Sequence, residues 1–247
     1  MNKNQLKQVQ SLKYARYRQL YGKFFIEGSR LVKAALDWSS TVKDIYCTKA
    51  FYNDNSESSI LNDIEKDKVK IISEEILRKI CYTQSPSGIA AICTMPKDNL
   101  VDLKEKRWLY LDEISDPGNL GTFLRSASWF GLKNIALSSN SVDPYNPKVV
   151  RAAMGAHFSI NLLKNIDLKE FCSTHTIVAA SQKGAEIENF NFPKKSVFVF
   201  GNEAHGISTK KMKIAQEFIT IKRFGMGESL NIASAASIIM HMVQNNE

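Results

Sequence analysis

Long hydrophobic runs and cysteine motifs are missing from this 247-residue chain. No stretch approaches the roughly eighteen uninterrupted apolar residues of a bilayer-spanning helix, so we expect no membrane span. The four cysteines lie far apart with no CxxC pair, which excludes a legible disulfide framework or zinc site and predicts that they are buried hydrophobic residues. The first residues lack the apolar segment of a secretory signal, which predicts an intracellular, cytoplasmic protein.

Three signatures of common enzyme classes are also absent. No GxGxxG follows the first predicted strand, and no GxxxxGK[ST] occurs, so neither a Rossmann dinucleotide site nor a phosphate-binding P-loop is supported. No GxSxG is present, which argues against a serine hydrolase of the α/β type. No metal-ligand cluster can be recognised, and we expect no metal.

Acidic residues are missing from the first 23 positions, which carry six basic residues. Tyr14, Tyr17 and Tyr21 are interleaved with these charges at helical spacing. Two interpretations fit the pattern equally well. It predicts either a surface that contacts RNA phosphates and bases, or a solvated amphipathic helix whose tyrosines pack on the domain behind it. The net charge of +8 favours a polyanionic partner in general.

The remaining composition is that of a globular protein, with 44% hydrophobic and 23% charged residues. Short apolar segments alternate with helical patterns, which predicts an α/β fold. The predicted strands are 24–28, 42–47, 69–73, 88–95, 107–114, 134–139, 159–163, 176–181, 196–201 and 218–223. The predicted helices are an N-terminal helical segment, 29–38, 58–67, 74–82, 119–131, 147–158, 167–172, 208–215 and 229–244.

The pattern divides the chain into two domains, residues 1–96 and 107–247, joined by a polar linker at 97–106. In the second domain, near-continuous apolar strands separated by helices predict a parallel sheet covered on both faces. Sites in such folds gather in the loops that follow the carboxyl ends of the strands.

Three such loops place glycine, amide and charged groups together. The first runs from Asp116 through Asn119 to Gly121 and leads to Arg125, which lies six residues after Asn119 and points away from it on an ideal helix. The second is 201–206, with Glu203 between two glycines. The third is 224–231, in which Ser229 is predicted to cap the last helix.

Taken in order, NLGTFLR, VFGNEAHGIS and SLNIASAAS resemble the three motifs of the SpoU-type RNA ribose 2′-O-methyltransferases of the SPOUT superfamily. The resemblance includes DPGN (116–119) and KVVRAAMGAHF (148–158). The N-terminal half, with FFIEGSRLVKAAL (24–36) and SGIAAI (87–92), is similar to the family's L30e-like substrate-binding domain. The similarity therefore extends over almost the whole chain.

This resemblance implies a fold and a chemistry. It implies a deep C-terminal trefoil knot, a homodimer formed through the methyltransferase domain, and methyl transfer from S-adenosylmethionine to a ribose 2′-OH of structured RNA, either rRNA or tRNA. By resemblance, the backbone around Gly201, Ile221 and Leu230 binds the cofactor. The catalytic set implied in the same way is Arg125, Asn119, Glu203, Ser229 and Asn231.

Two points stay open at the level of sequence. Arg125 is either the base that accepts the 2′-OH proton or a clamp for RNA phosphate, and an arginine normally stays charged. Lys222 replaces the family's usual proline after Ile221 and either loosens the cofactor wall or adds an RNA contact. The alternative functions are an SPOUT-fold RNA-binding protein without activity, and an enzyme that methylates a base nitrogen.

Overall fold

The computed structural model describes residues 1–38, 41–54, 60–61, 64–97 and 100–246. These residues form two compact units. The first contains Met1–Lys97 and Asp143–Phe158, and the second contains Asp98–Val142 and Ser159–Glu247. Segment 143–158 is therefore part of the first compact unit, although the sequence pattern assigned it to the second domain.

The helices are α1 (Lys3–Ser11), α2 (Ala15–Tyr21), α3 (Ser29–Trp38), α4 (Lys49–Asp54), α5 (Glu74–Ile80), α6 (Pro117–Trp129), α7 (Pro147–Ala153), α8 (Thr209–Met212) and α9 (Ile232–Asn245). The strands are β1 (Lys23–Glu27), β2 (Val42–Thr48), β3 (Val69–Ile72), β4 (Ile89–Thr94), β5 (Arg107–Leu111), β6 (Asn134–Leu137), β7 (Asn161–Leu163), β8 (Thr176–Glu186), β9 (Ser196–Phe200) and β10 (Glu217–Thr220). Every predicted strand is present, with its ends shifted by a few residues.

Two predicted helices differ from the structure. The segment predicted at 167–172 is a short 3₁₀ turn, Leu168–Phe171, with Asp167 as its cap. The helix predicted at 58–67 falls partly outside the described residues. The described part of that segment includes a 3₁₀ turn that begins at Lys66.

The first unit is built on a four-stranded mixed sheet in the order β1-β4-β2-β3. Strand β4 pairs antiparallel with β1 and β2, whereas β2 and β3 are parallel. Alternate residues of β1 enter different hydrophobic clusters: Phe24 and Ile26 lie in one cluster, and Phe25 lies in the other. Strand β4 is apolar and buried from Ile89 to Cys93 because both faces of the sheet are covered there.

The predicted burial of the cysteines holds for only some of them. Cys47 and Cys93 are buried, Cys81 is partly buried and Cys172 is exposed. Burial raises the pKa of the Cys93 thiol to about 12. This thiol therefore stays protonated and acts as a small core residue.

Arg18 is a structural residue and does not belong to the exposed basic surface. Its side chain is only 3% exposed. Its Nη1 atom donates to the carbonyls of Leu12 and Lys13, each at 2.8 Å, and its Nε atom donates to Asp143 Oδ2 at 3.0 Å. Arg18 therefore joins the turn between α1 and α2 to segment 143–158.

His157 is a second buried polar residue of this unit. Its Nε2 atom donates to the carbonyl of Pro144 at 2.8 Å, and its ring lies 5.4 Å from that of Tyr145. Its Nδ1 atom is buried and has no hydrogen-bond partner among the described residues. Burial lowers the pKa of His157 from its ordinary value of 6.5 to about 4, because a proton on Nδ1 would be a buried charge without an acceptor.

His157 makes the stability of the protein depend on pH. Above pH 6.5, His157 is neutral in both the folded and the unfolded state. Between pH 6.5 and pH 4, only the unfolded state takes up the proton on His157. The free energy of unfolding is therefore expected to fall across this window by a total of about 3 kcal/mol, and this contribution levels off below it. Urea unfolding at a series of pH values measures the slope. His157→Phe should reduce it, and an unchanged slope in that variant would show that other groups cause the dependence.

The second unit is built on a six-stranded sheet in the order β10-β8-β9-β5-β6-β7. Every pair of neighbouring strands is parallel, which confirms the predicted parallel sheet. Strands β5 and β9 are almost wholly buried, as expected for the centre of such a sheet.

Strand β8 is longer than predicted because it contains an irregular segment. Its pairing with β10 shifts register between Phe218 and Ile219, where the partners change from Ala179 to Ala185. Gly184 lies in this segment, and a Cβ atom at that position would be 2.5 Å from the carbonyl oxygen of Phe218. Only glycine permits this close approach of the two backbones.

Candidate active site

The three loops selected from the sequence leave the same edge of the parallel sheet. Leu111 at the end of β5 lies beside Phe200 at the end of β9. Ala179 of β8 lies beside both Val199 of β9 and Phe218 of β10. The chains that continue from these strand ends therefore meet at the carboxyl edge, where ligands bind in open parallel sheets.

The first loop ends in a well-capped helix. Asp116 precedes α6, and its Oδ1 atom accepts from the backbone N–H of Asn119 at 2.6 Å, while Pro117 occupies the first turn. This is the arrangement that Asp-Pro at a helix start favours, since proline has no N–H to satisfy. It fixes Asn119 in the first turn of α6.

The second loop is a tight turn closed by its own backbone. Asn202 and Gly206 exchange two backbone hydrogen bonds of 2.9 and 2.8 Å. Asn202 also donates from Nδ2 to the carbonyl of Glu113 at 2.7 Å, which joins this loop to the first one. A Cβ atom at Gly201 would lie 2.1 Å from the carbonyl carbon of Gly206, so the turn itself requires glycine at position 201.

Asn231, Asn119 and Glu203 form a hydrogen-bonded set that we call the amide bridge. Asn231 Oδ1 caps α9 by accepting from Ala233 N at 2.9 Å. Asn231 Nδ2 donates to Asn119 Oδ1, and Asn119 Nδ2 donates to Glu203 Oε1, each at 2.8 Å. These donor and acceptor assignments are consistent with one another. Asn231 uses its oxygen for the cap, so its Nδ2 must donate, and the ionised carboxylate of Glu203 can only accept from Asn119. One residue from each of the three motifs therefore takes part in the bridge.

Sequence reasoning missed a buried ion pair beneath the second loop. Asp112 is only 1% exposed. It accepts from Lys211 Nζ at 2.6 Å and from the backbone N–H of Ser208 at 2.8 Å. We call Asp112, Ser208 and Lys211 the Asp112 anchor. It attaches the chain after the second loop to the end of β5. The available signal was an acidic residue directly after the apolar run of that strand.

Two of the predicted catalytic residues lie outside the amide bridge. Arg125 is on α6, exposed, and forms no hydrogen bond or ion pair with the described residues. Its Cα is about 9 Å along the helix from that of Asn119 at the normal rise per residue. Ser229 is also exposed. The prediction that it caps the last helix is wrong, because α9 begins at Ile232 with Asn231 as its cap.

The residues from 222 to 230 are all exposed. This segment starts two residues before the third loop selected from the sequence, and it is the third loop of the structure. It contains the apolar side chains Phe224, which is 88% exposed, and Leu230. The backbone N–H groups of residues 223–230 donate no hydrogen bond to the described part of the chain. Ile221, which precedes the loop, is half-buried. The loop therefore offers free amide donors and apolar surface at the carboxyl edge of the sheet.

Side chains nevertheless form two contacts between this loop and β8 and one contact within the loop. Lys222 pairs with Glu186 at 2.9 Å, Arg223 donates to the carbonyl of Gly227 at 2.7 Å, and Gln182 donates to the carbonyl of Glu228 at 2.8 Å. Lys222 therefore forms an exposed ion pair with Glu186 at the end of β8. The two expectations for this lysine, a looser wall or an RNA contact, stay predictions.

Within the described residues, no group of three or more His, Cys, Asp or Glu side chains could hold a metal ion. The helices of that same part of the chain include none long and apolar enough to cross a membrane.

Comparison with protein families decides the classification. The SpoU rRNA Methylase family matches residues 106–241, which is more than half of the chain. The chain belongs to this family. The MRM3-like substrate binding domain matches residues 3–91 of the SpoU chain, which agrees with the substrate-binding domain inferred by resemblance. The amide bridge and the Asp112 anchor both lie within the SpoU methylase match.

Individual relatives of this SpoU protein cover it almost completely. It is 31% identical to the 23S rRNA (guanosine(2553)-2′-O)-methyltransferase of Bacillus subtilis, over 88% of this chain and 87% of that one. A solved structure of a TrmH-family protein from Porphyromonas gingivalis is 26% identical with a TM-score of 0.88, covering 100% and 99% of the two chains. The AdoMet complex of a SpoU methyltransferase from Streptomyces viridochromogenes, at 21% identity, covers 99% and 98% with a TM-score of 0.86 and shares the fold.

Proposed function

We propose that this protein transfers a methyl group from S-adenosylmethionine to a ribose 2′-OH of ribosomal RNA. The observation that carries the proposal is the amide bridge, since it connects the three motifs of the family through side chains at one edge of the sheet. The Bacillus subtilis relative is named for 2′-O methylation of a guanosine in 23S rRNA, which supports the ribose as the acceptor.

The third loop and the neighbouring turn suit S-adenosylmethionine. The cofactor would supply the activated methyl group. The backbone around Gly201, Ile221 and Leu230 would hold it, with the free N–H groups of the third loop as donors. Gly225 and Gly227 have open space where a side chain would stand, and Phe224 offers an exposed apolar face.

Arg125 would act on the RNA side of the reaction. A ribose hydroxyl is a weak nucleophile that must lose its proton as it attacks, and it has to be held in line with the methyl group. A guanidinium stays charged and has no acceptor site, so it is suited to bind a phosphate and orient the hydroxyl. Its exposure and the lack of a partner in the described residues leave it available for that contact.

The other catalytic candidates would shape the site. Asn119, Glu203 and Asn231 hold the start of α6, the second loop and the start of α9 in fixed register through the amide bridge. Ser229 lies on the exposed third loop, where its hydroxyl is free to contact a ligand.

The two halves of the chain would have different functions: residues 1–96 would recognise RNA, and residues 107–247 would catalyse methyl transfer. Residues 1–96 contain 15 basic and 10 acidic side chains, which supports binding to a polyanion. We also propose, from the family resemblance, that the C-terminal segment forms a deep trefoil knot and that the protein works in the cytoplasm.

A homodimer is expected through α6 and α9. These helices pack together, with Ser126 and Ser237 joined at 2.7 Å, yet Trp129 is 84% exposed on α6 and Ile238 is exposed on α9. A second copy would cover this apolar surface.

Light scattering at micromolar concentration should give twice 27.8 kDa. Trp129→Glu should shift the protein towards monomer, whereas Trp38→Glu, at an exposed tryptophan of the first unit, should not. An active wild-type monomer would refute the dimer.

The function can be tested in cells by mapping ribose methylation in total RNA with and without this protein. One or more sites in ribosomal RNA should lose methylation when the protein is absent. Unchanged ribose methylation together with a lost base methylation would instead favour a base-methylating enzyme. Unchanged modification of both kinds would favour an RNA-binding protein without activity.

A further inference from the structure

The first unit carries a groove formed by α1 and α2 that the proposed methyltransferase site does not use. Its volume is about 500 Å³, and its lining includes Lys7 and Gln8 of α1 together with Tyr17 and Tyr21 of α2. The side chains on the α1 side are polar or basic, and those on the α2 side are tyrosines.

The tyrosines of this groove belong to a row of aromatic rings. Tyr17 and Tyr21 are stacked, with centroids 6.1 Å apart and an angle of 20° between the planes. Tyr14 continues the row 6.5 Å from Tyr17 and is 55% exposed. A spacing of three and four residues places all three on one side of the helical segment. Tyrosines that served only to pack the helix on its own domain would be buried. Tyr14 and Tyr21 are instead exposed, and Tyr17 is only partly buried.

Positive charge surrounds the row. Lys13 Nζ lies 4.8 Å from the ring centre of Tyr14, and the Arg16 guanidinium lies 5.9 Å from that of Tyr17. Lys7, Lys13 and Arg16 form no ion pair with the described residues. Since the first 23 residues contain no acidic side chain, these cations have no counter-charge within their own segment.

We propose that this groove, the tyrosine groove, binds an unpaired stretch of the RNA substrate. Partly exposed aromatic rings can stack on bases, and cations without an ion-pair partner can bind the phosphates of a single strand. A duplex hides the faces of its bases in the stack, so it could use the charges but not the rings. This proposal rests on the proposed function for RNA as the partner, and it adds the kind of RNA and the residues that contact it.

Stacking is tested with the full chain and a fluorescent single-stranded RNA of about ten nucleotides, a length suited to such sites. The double variant Tyr17→Leu, Tyr21→Leu should bind this oligonucleotide about tenfold or more weakly, whereas Tyr17→Phe, Tyr21→Phe should bind it nearly as the wild type does. Tyr52→Leu changes an exposed tyrosine elsewhere in the same unit and should have no effect. Thermal unfolding verifies that each variant is folded.

The charges are tested by a salt series. Replacing Lys7, Lys13 and Arg16 by alanine should flatten the dependence of affinity on salt by up to about one slope unit per lost phosphate contact. Arg78→Ala with Lys79→Ala removes two exposed charges from α5, which are paired with Glu74 and Glu75, and should leave the slope nearly unchanged.

The outcomes separate this proposal from the proposed function. Equal binding by the leucine and phenylalanine variants, or equal affinity for a duplex of the same sequence, would overturn the tyrosine groove even if the protein methylates ribosomal RNA. Conversely, oligonucleotide binding that depends on the ring faces would support the groove even if no methyl transfer were found.

Discussion

Replacing Arg125 with alanine is expected to lower methyl transfer to ribosomal RNA by about a hundredfold to a thousandfold, the usual effect of removing one preorganised donor. The reason is that Arg125 is exposed on α6 without an internal partner, so its charge is available to RNA and contributes nothing visible to the fold. Single-turnover transfer of labelled methyl groups measures the effect.

Calorimetry with S-adenosylmethionine is the control for this prediction, because the Arg125→Ala protein should bind the cofactor nearly as the wild type does. Arg125→Lys should also transfer poorly, since an ammonium cannot reproduce the planar two-point contact of a guanidinium. Arg78→Ala removes another exposed arginine and should be fully active. Substantial activity in the alanine variant would show that Arg125 is not the catalytic residue.

Lys211→Met is expected to reduce the free energy of unfolding by about 3–5 kcal/mol, because it leaves the carboxylate of Asp112 buried without its cation. Methionine keeps the apolar stem of the side chain, so lost packing contributes little. Lys222→Met is the matched control, since Lys222 and Glu186 are both almost half exposed. The Lys222→Met change should lower the free energy of unfolding by less than about 1 kcal/mol.

Urea unfolding followed by fluorescence compares the two lysine variants. A stability loss in Lys211→Met no larger than that in Lys222→Met would mean that the Asp112 anchor is not an important buried ion pair. Because Ser208 and Lys211 attach the second loop to β5 through this anchor, the folded Lys211→Met protein should also bind S-adenosylmethionine more weakly.

The parallel sheet of the second unit could be predicted because strands buried on both faces have a simple sequence requirement. A strand that is covered on both faces needs apolar or aromatic side chains along most of its length, and β5 after Arg107 and β9 after Ser196 contain only such residues. The same reasoning placed the loops after Leu111, Phe200 and Thr220 at one edge, where the parallel registers bring them together.

The amide bridge could not be read from local patterns. Asn231, Asn119 and Glu203 are far apart in sequence, and their hydrogen bonds exist only once three elements have been brought together. The start of α9 was misplaced for a related reason. Ser229 and Asn231 are both good capping residues, and only the path of the third loop decides between them.

The burial of single charged residues could not be predicted from the sequence either. Arg18 lies in a basic segment that resembles a solvated helix face, yet Asp143 and two backbone carbonyls hold it inside the first unit. The structural role of Gly201 was also not predicted from the sequence. A bulky residue there would collide with the backbone of Gly206. If a Gly201→Val protein lost cofactor binding, the first cause to consider would therefore be a distorted turn.

The most direct test of the proposed function is the chemical position of the transferred methyl group. Ribosomal RNA that lacks the modification would be incubated with the purified protein and S-adenosylmethionine carrying a labelled methyl group, and then hydrolysed in alkali. Ribose 2′-O methylation blocks cleavage at the modified nucleotide, so we predict that the label remains in an alkali-resistant dinucleotide. Label recovered entirely in ordinary mononucleotides as a methylated base, or no transfer at all, would contradict the assignment.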